Sequence, residues 1–227
     1  MSSTMVYVYH LLSQHPDALD KLRKEHDDIF GTDTSRAAQI LKEQPAMINK
    51  CLFTLAVIKE TLRLYPPAAT MRAGQPNTTI TDRHGNHYPM DYVGATVLHP
   101  AVHRKPHVWP SPEKFLPERF LVEAGHEFYP YAAAYRPFEQ GPRSCIAQTL
   151  VYNEIRIAMI MTARTFDISP AYDEWDARER REMGFVGQLK TRIFGEPVKT
   201  VHGDRAYQTE KAGTHPANGY PFHVKIV

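Results

Sequence analysis

Residues 138–147 read Phe-Glu-Gln-Gly-Pro-Arg-Ser-Cys-Ile-Ala, and the spacing within this stretch gives a single thiol a defined setting. Gly141 and Pro142 predict a tight turn, because glycine reaches backbone angles that other residues avoid and proline fixes the angle that follows. Arg143 follows as an anion-directed fork just before Cys145. Ala147, Leu150, Val151, Ile155 and Ala158 then recur at i, i+3, i+4, i+8 and i+11, which predicts an amphipathic helix with Cys145 at or just before its N-terminus. The helix dipole, its free amide donors and Arg143 all favour the thiolate, the form in which sulfur serves as a soft metal ligand. A buried structural thiol is the alternative use of a lone cysteine.

Composition sets wide bounds. At 227 residues the chain is long enough to bury a sizeable core, and 42% hydrophobic with 23% charged residues is ordinary globular usage. A formal charge of +2 with neutral histidines, and no long single-sign run, leaves no basic footprint for nucleic acid. The two cysteines, Cys51 and Cys145, do not suggest a disulfide framework, and Cys51 reads as core. The apolar run over 51–58, broken by Thr54, is far too short to cross a bilayer. Residues 1–16 carry no positive charge ahead of the apolar positions 5–12 and no small-residue cleavage site, so they make a poor secretory signal and read as a helix cut in half.

Working outward from the cysteine loop, residues 4–13 are helical in pattern, and His15-Pro16-Asp17 closes that helix and opens another over 16 to about 29, with Leu19, Leu22 and Ile29 on one side and Gly31 at its end. Residues 49–64 predict a helix with Leu52, Leu55 and Leu62 on a shared face, stopped by Pro66 and Pro67. Glu60 and Arg63 stand at i, i+3 on it, and as an exposed pair would contribute only about 0.2–0.5 kcal/mol. Short strands are expected at 78–81, 86–88 and 93–98, forming one small sheet around the turn-rich 82–86. His99, His103 and His107 recur every four residues, but Pro100, Pro106 and Pro110 break the helix that would converge them, so zinc is not expected. Beyond the cysteine helix, 165–169 reads as a strand and 173–182 as a solvated helix or loop. The tail, 206–227, carries two strand-like pieces around 209–218 and suits a hairpin, with no repeat or linker to mark a second domain.

The set Phe138, Gly141, Arg143 and Cys145 resembles the haem-binding signature of the cytochrome P-450 family of haem-thiolate monooxygenases, with Ala147 where that signature has glycine. Glu60 and Arg63 resemble the family's Glu-x-x-Arg helix, and Pro117-Glu118-Arg119-Phe120 its later loop. The resemblance implies a structural triad of Glu60, Arg63 and Arg119. It makes Cys145 the axial thiolate to the iron of haem b, with Phe138, Gly141, Arg143, Ala147 and Arg72 around the cofactor. His103 and Arg104 resemble the family's His-Arg step after a strand.

The same resemblance implies a substrate-facing segment at Ala68, Ala69, Thr70 and Met71, and a hairpin tip at Glu210, Lys211, Ala212 and Gly213. The expected fold is mainly α with small β-sheets (α+β), the incomplete carboxy-terminal portion of the cytochrome P-450 fold. It is expected as a single partial domain over residues 1–227, running from the end of the distal helix to a carboxy-terminal hairpin. Ser13, Gln14, His15 and Pro16 match the end of that distal helix, which places the family's acid and alcohol pair just before residue 1. The implied function is insertion of one oxygen atom from dioxygen into a small apolar organic substrate, with NADPH acting only through a partner such as a cytochrome reductase. The family is often held at the endoplasmic reticulum, although no anchor pattern is read here. The alternative is a non-catalytic truncated remnant that keeps the motifs without binding haem.

Overall fold

The computed structural model describes residues 2–184, 200–210 and 214–227. Four helices form the centre: α1 (Ser2–Gln14), α2 (Pro16–Phe30), α4 (Leu52–Leu64) and α6 (Gln148–Thr162), with a short α3 (Ala37–Glu43) beside them. Val8, Leu11 and Leu12 of α1, Leu22 of α2, Val57, Ile58 and Leu62 of α4, and Ile155 and Met159 of α6 pack with Phe115 into one core. The break between α1 and α2 falls at His15-Pro16, where proline at the first helical position has no amide to lose.

The four central helices occur where periodicity puts them, α3 was not expected, and the buried faces differ from the expected ones. α2 buries Ala18, Leu22, His26 and Phe30, a stripe that leaves Leu19 and Ile29 at its margins. Leu52 is 59% exposed although Leu62 is fully buried, because α4 is enclosed on several sides and buries Glu60, Thr61 and Arg63 together with its apolar residues. α4 also starts at Leu52 rather than residue 49. Pro45–Lys50 form a separate 3-10 turn, and the Glu25 carboxylate of α2 accepts from the amides of Phe53 (2.6 Å) and Thr54 (2.9 Å). A negative cap supplied from another helix fixes that boundary. On α6 the buried residues are Tyr152, Ile155, Arg156, Met159 and Ile160, and Leu150 is 59% exposed. Arg156 is drawn inward by Ile48 O (3.0 Å) and Asn153 Oδ1 (2.5 Å).

The small sheets are four two-stranded antiparallel ladders. β1 (Thr70–Ala73) pairs with β4 (Gly94–Val97), and β2 (Thr79–Thr81) with β3 (His87–Pro89). The single sheet expected around residues 82–86 is therefore two ladders, and Thr70 and Met71 of the expected substrate-facing segment begin a strand. α5 (His99–His103) follows β4, with Pro100 in its first turn, so that proline starts a helix here instead of breaking one. β5 (Phe166–Pro170) pairs with β8 (Phe222–Ile226), while β6 (Gln208–Glu210) and β7 (Thr214–Pro216) form the hairpin of the tail. α7 (Tyr172–Glu182) lies between β5 and the tail and is mostly exposed.

The rotated face of α6 is testable. Ile155→Ala should lower stability by about 2–5 kcal/mol through a core cavity, whereas Leu150→Ala should stay within about 0.5 kcal/mol, as urea denaturation would measure.

Candidate functional site

Glu60 lies at the centre of a buried ionic cluster. Its carboxylate accepts from Arg63 twice, Nε to Oε2 and Nη2 to Oε1, both at 2.8 Å, and from Arg119 Nε at 3.0 Å. The side chains of all three are 0% exposed. A carboxylate between two guanidiniums leaves excess positive charge, and backbone carbonyls absorb it. Arg63 donates to the oxygens of His103 (2.9 Å), Pro112 (2.6 Å) and Lys114 (2.9 Å), and Arg119 to Pro110 O (3.2 Å). The amide of Leu116 also donates to Glu60, and both guanidiniums lie over the Trp109 ring, at 5.3 and 5.8 Å. The surface-pair reading of Glu60 and Arg63 does not hold in this environment.

From this cluster a run of hydrogen bonds reaches the cysteine loop. His103 Nδ1 donates to Arg63 O (3.0 Å), and its Nε2 accepts from the Arg136 amide (3.0 Å). Those two roles require the neutral ring, and burial lowers the His103 pKa to about 3. Arg136 in turn grips the Glu139 carboxylate through Nε (3.2 Å) and Nη2 (3.0 Å). His99 Nε2 reaches Glu139 at 3.0 Å and Arg72 Nη2 lies 3.6 Å away. Hydrogen bonds from Arg136 and His99, with their charges, hold the Glu139 carboxyl at about 2.

The loop itself is clasped. The Cys145 amide donates to Phe138 O (2.8 Å), Ser144 N to Gly141 O (3.0 Å) and Gln148 N to Cys145 O (3.3 Å). Glu139 (φ 60°) and Gly141 (φ 78°) take left-handed backbone angles that bend it, the second of them natural for glycine. Phe138 packs edge-on against Tyr152 of α6, at 5.2 Å between ring centroids. Cys145 is exposed three residues ahead of α6, next to Ile146, whose side chain is wholly exposed. Arg143 is exposed and makes no hydrogen bond or ion pair among the described residues, and Ala147 is the residue before the helix.

Arg72 is half exposed, donates to Met71 O (3.1 Å) and approaches the loop through Glu139. Ala68, Ala69 and Met71 are exposed and Thr70 is buried, with Ala68 O accepting from His99 Nδ1 (2.7 Å). Glu210 ends β6, and Lys211, Ala212 and Gly213 lie outside the described residues. Two groupings went unseen in the sequence. One is the Glu139 cluster, whose members come from β1, α5 and the loop. The other is Glu25, His26 and Cys51, whose ligand-type atoms lie within 4.8 Å of one another. The latter is occupied as a helix cap: Glu25 accepts from Phe53 N, Thr54 N and Thr54 Oγ1, and His26 Nε2 bonds Thr54 Oγ1 (2.8 Å). Burial raises the Cys51 thiol to about 12 and lowers His26 to about 4, which suits apolar packing. The four ring nitrogens of His99 and His103 are likewise engaged by protein groups, as their contacts above show.

Comparison with known proteins gives a family model described as Cytochrome P450 that matches residues 1–193. The chain is 39% identical over 226 residues to cytochrome P450 monooxygenase polC of Polytolypa hystricis, covering 100% of this chain and 38% of that protein. It is 37% identical over 243 residues to acrF of Aspergillus aculeatus, covering 98% of the chain and 47% of the relative. With PC-23 of Penicillium crustosum it shares 32% over 221 residues, 96% of this chain and 98% of that one. The chain thus spans less than half the length of the first two relatives.

Two measurements test the buried groups. Glu60→Gln leaves two buried guanidiniums without their counter-charge and should lower stability by about 3–5 kcal/mol in urea denaturation. His26 and His103 bind protons in the unfolded chain from their ordinary pKa of 6.5 but resist them when folded until about 4 and about 3. The unfolded state therefore holds more protons in that window, and stability should fall as pH drops from 6.5, by up to about 1.4 kcal/mol per pH unit for each histidine. The urea midpoint should be lower at pH 5 than at pH 7, with a smaller difference in His26→Gln; equal midpoints in the parent protein would contradict the assignment.

Proposed function

Because the chain belongs to the cytochrome P450 family, we propose that it carries the thiolate side of a haem monooxygenase that inserts one oxygen atom from dioxygen into a small apolar organic substrate. The observation that carries this reading is the exposed Cys145 sulfur on a clasped loop at the head of α6. The donor set fits an iron porphyrin on that side. A soft sulfur is offered outward, an apolar side chain, Ile146, stands exposed beside it, and two exposed guanidiniums, Arg143 and Arg72, have donors to give to carboxylates. When bound, haem b supplies the dioxygen chemistry, with electrons that NADPH provides through a partner such as a cytochrome reductase.

The chain's own residues then have distinct tasks. Cys145 would hold the iron through its sulfur, and a thiolate ligand there would supply the electron density that dioxygen chemistry on haem draws on. Phe138, fixed against Tyr152, shields the sulfur from water on one side, and Gly141 and Ala147 keep the loop and helix start slim enough for a planar group to approach. Arg143 and Arg72 orient the group by its carboxylates. The exposed residues Ala68, Ala69 and Met71 would face the substrate, and Glu210, at the end of β6, would be a further pocket residue. Glu60, Arg63 and Arg119 hold the scaffold and do no chemistry.

The test is spectroscopic. Protein loaded with haem, reduced and exposed to carbon monoxide should give the red-shifted absorption band of thiolate ligation, and Cys145→Ala should abolish it. Absence of that band in the parent protein would overturn the reading and leave a non-catalytic chain that keeps the motifs.

A further inference from the structure

Glu139 is the least expected residue in the cysteine loop. It takes a left-handed backbone conformation (φ 60°), which disfavours any side chain beyond glycine, and its carboxylate is only 12% exposed. Three cationic or potentially cationic groups from three segments face it: Arg136 at 3.0 Å from the loop, His99 Nε2 at 3.0 Å from α5, and Arg72 Nη2 at 3.6 Å from β1. His99 Nδ1 lies 2.7 Å from Ala68 O and its Nε2 3.0 Å from Glu139, and the two guanidiniums of Arg72 and Arg136 outnumber the single carboxylate whatever the state of that ring. The cluster therefore gathers more positive than negative charge. Its members are unequally satisfied: Arg136 bonds the carboxylate twice, whereas Arg72 stands beyond hydrogen-bond range, half exposed, with Met71 O as its acceptor.

We propose that Glu139 is the built-in counter-ion of a carboxylate-binding cluster, holding Arg72, His99 and Arg136 together and competing with a ligand's own carboxylate for Arg72. The inference rests on the haem reading above, since the ligand it names is a porphyrin carboxylate. It assigns a positioning role to a residue that touches neither the iron nor the sulfur. A ligand carboxylate can form the paired bonds to the Arg72 fork that Glu139, at 3.6 Å, does not form. Removing the charge of Glu139 removes the competitor and leaves the cations in excess.

The test titrates the full chain with iron protoporphyrin IX and, separately, with its dimethyl ester, which has the same ring and no carboxylates. Glu139→Gln removes the charge and keeps the left-handed strain, whereas Glu139→Gly removes both, so agreement between them isolates charge. Both variants should bind the free acid about fivefold more tightly than the parent, the worth of one partly screened charge, and should bind the ester as the parent does. Adding Arg72→Gln to either variant should erase the gain. Weaker binding of the acid, equal changes for acid and ester, or a gain that survives loss of Arg72 would overturn the inference while leaving the haem reading intact. Failure of the parent chain to bind either porphyrin would overturn both.

Discussion

The buried carboxylate of Glu60 fixes the point at which separate segments of the chain meet. It sits among two guanidiniums with no exposure to water, where a charge without a partner costs several kcal/mol. The fold therefore has to bring Arg63, from the same helix, and Arg119, from 59 residues further along the chain, to one point. The backbone carbonyls of residues 103, 110, 112 and 114 must turn toward the arginines as well. That arrangement pins residues 103–119 against α4. Replacing such a cluster with apolar residues can be neutral for stability, so its value lies in specifying one arrangement of the segments it joins.

The specification is transmitted in short steps. The carbonyl of Arg63 accepts from the His103 ring, the far nitrogen of that ring accepts from the Arg136 amide, and Arg136 holds Glu139 in the loop that carries the sulfur. A second path runs through packing: Tyr135 donates to Lys59 O on α4, and Phe138 lies against Tyr152 on α6. Cys145 is thus held from two sides by buried groups although it is itself exposed. The backbone that carries the sulfur is thus positioned by the protein's own contacts.

The sequence made the helices and the cysteine loop legible because their signals are local: apolar spacing near 3.6, proline at a helix start, glycine in a turn. What it hid was set at a distance. The start of α4 depends on Glu25 from α2, and the inward face of α6 depends on Arg156 finding Ile48 O, neither of which leaves a mark in the neighbouring residues. β1 leaves no strand signal because its own residues do not alternate between buried and exposed, and its partner, β4, begins 24 residues after β1 does. Glu60 and Arg63 alone read as a surface pair, and only the later Pro117–Phe120 loop, through family resemblance, pointed to burial. Glu139 carried no signal, since an acidic residue is common in turns and its cationic partners are scattered over three elements.

We propose above that the sulfur of Cys145 bonds the iron of haem. Sulfur K-edge X-ray absorption of the haem-loaded ferric protein tests it most directly, because covalent iron–thiolate bonding adds a pre-edge feature that a free or protonated thiol lacks. The parent protein should show that feature and Cys145→Ser should lose it, with the rest of the edge, to which Cys51 and the eight methionines contribute, unchanged. An edge without the feature, with haem bound through nitrogen or oxygen, would show that the sulfur does not hold the iron.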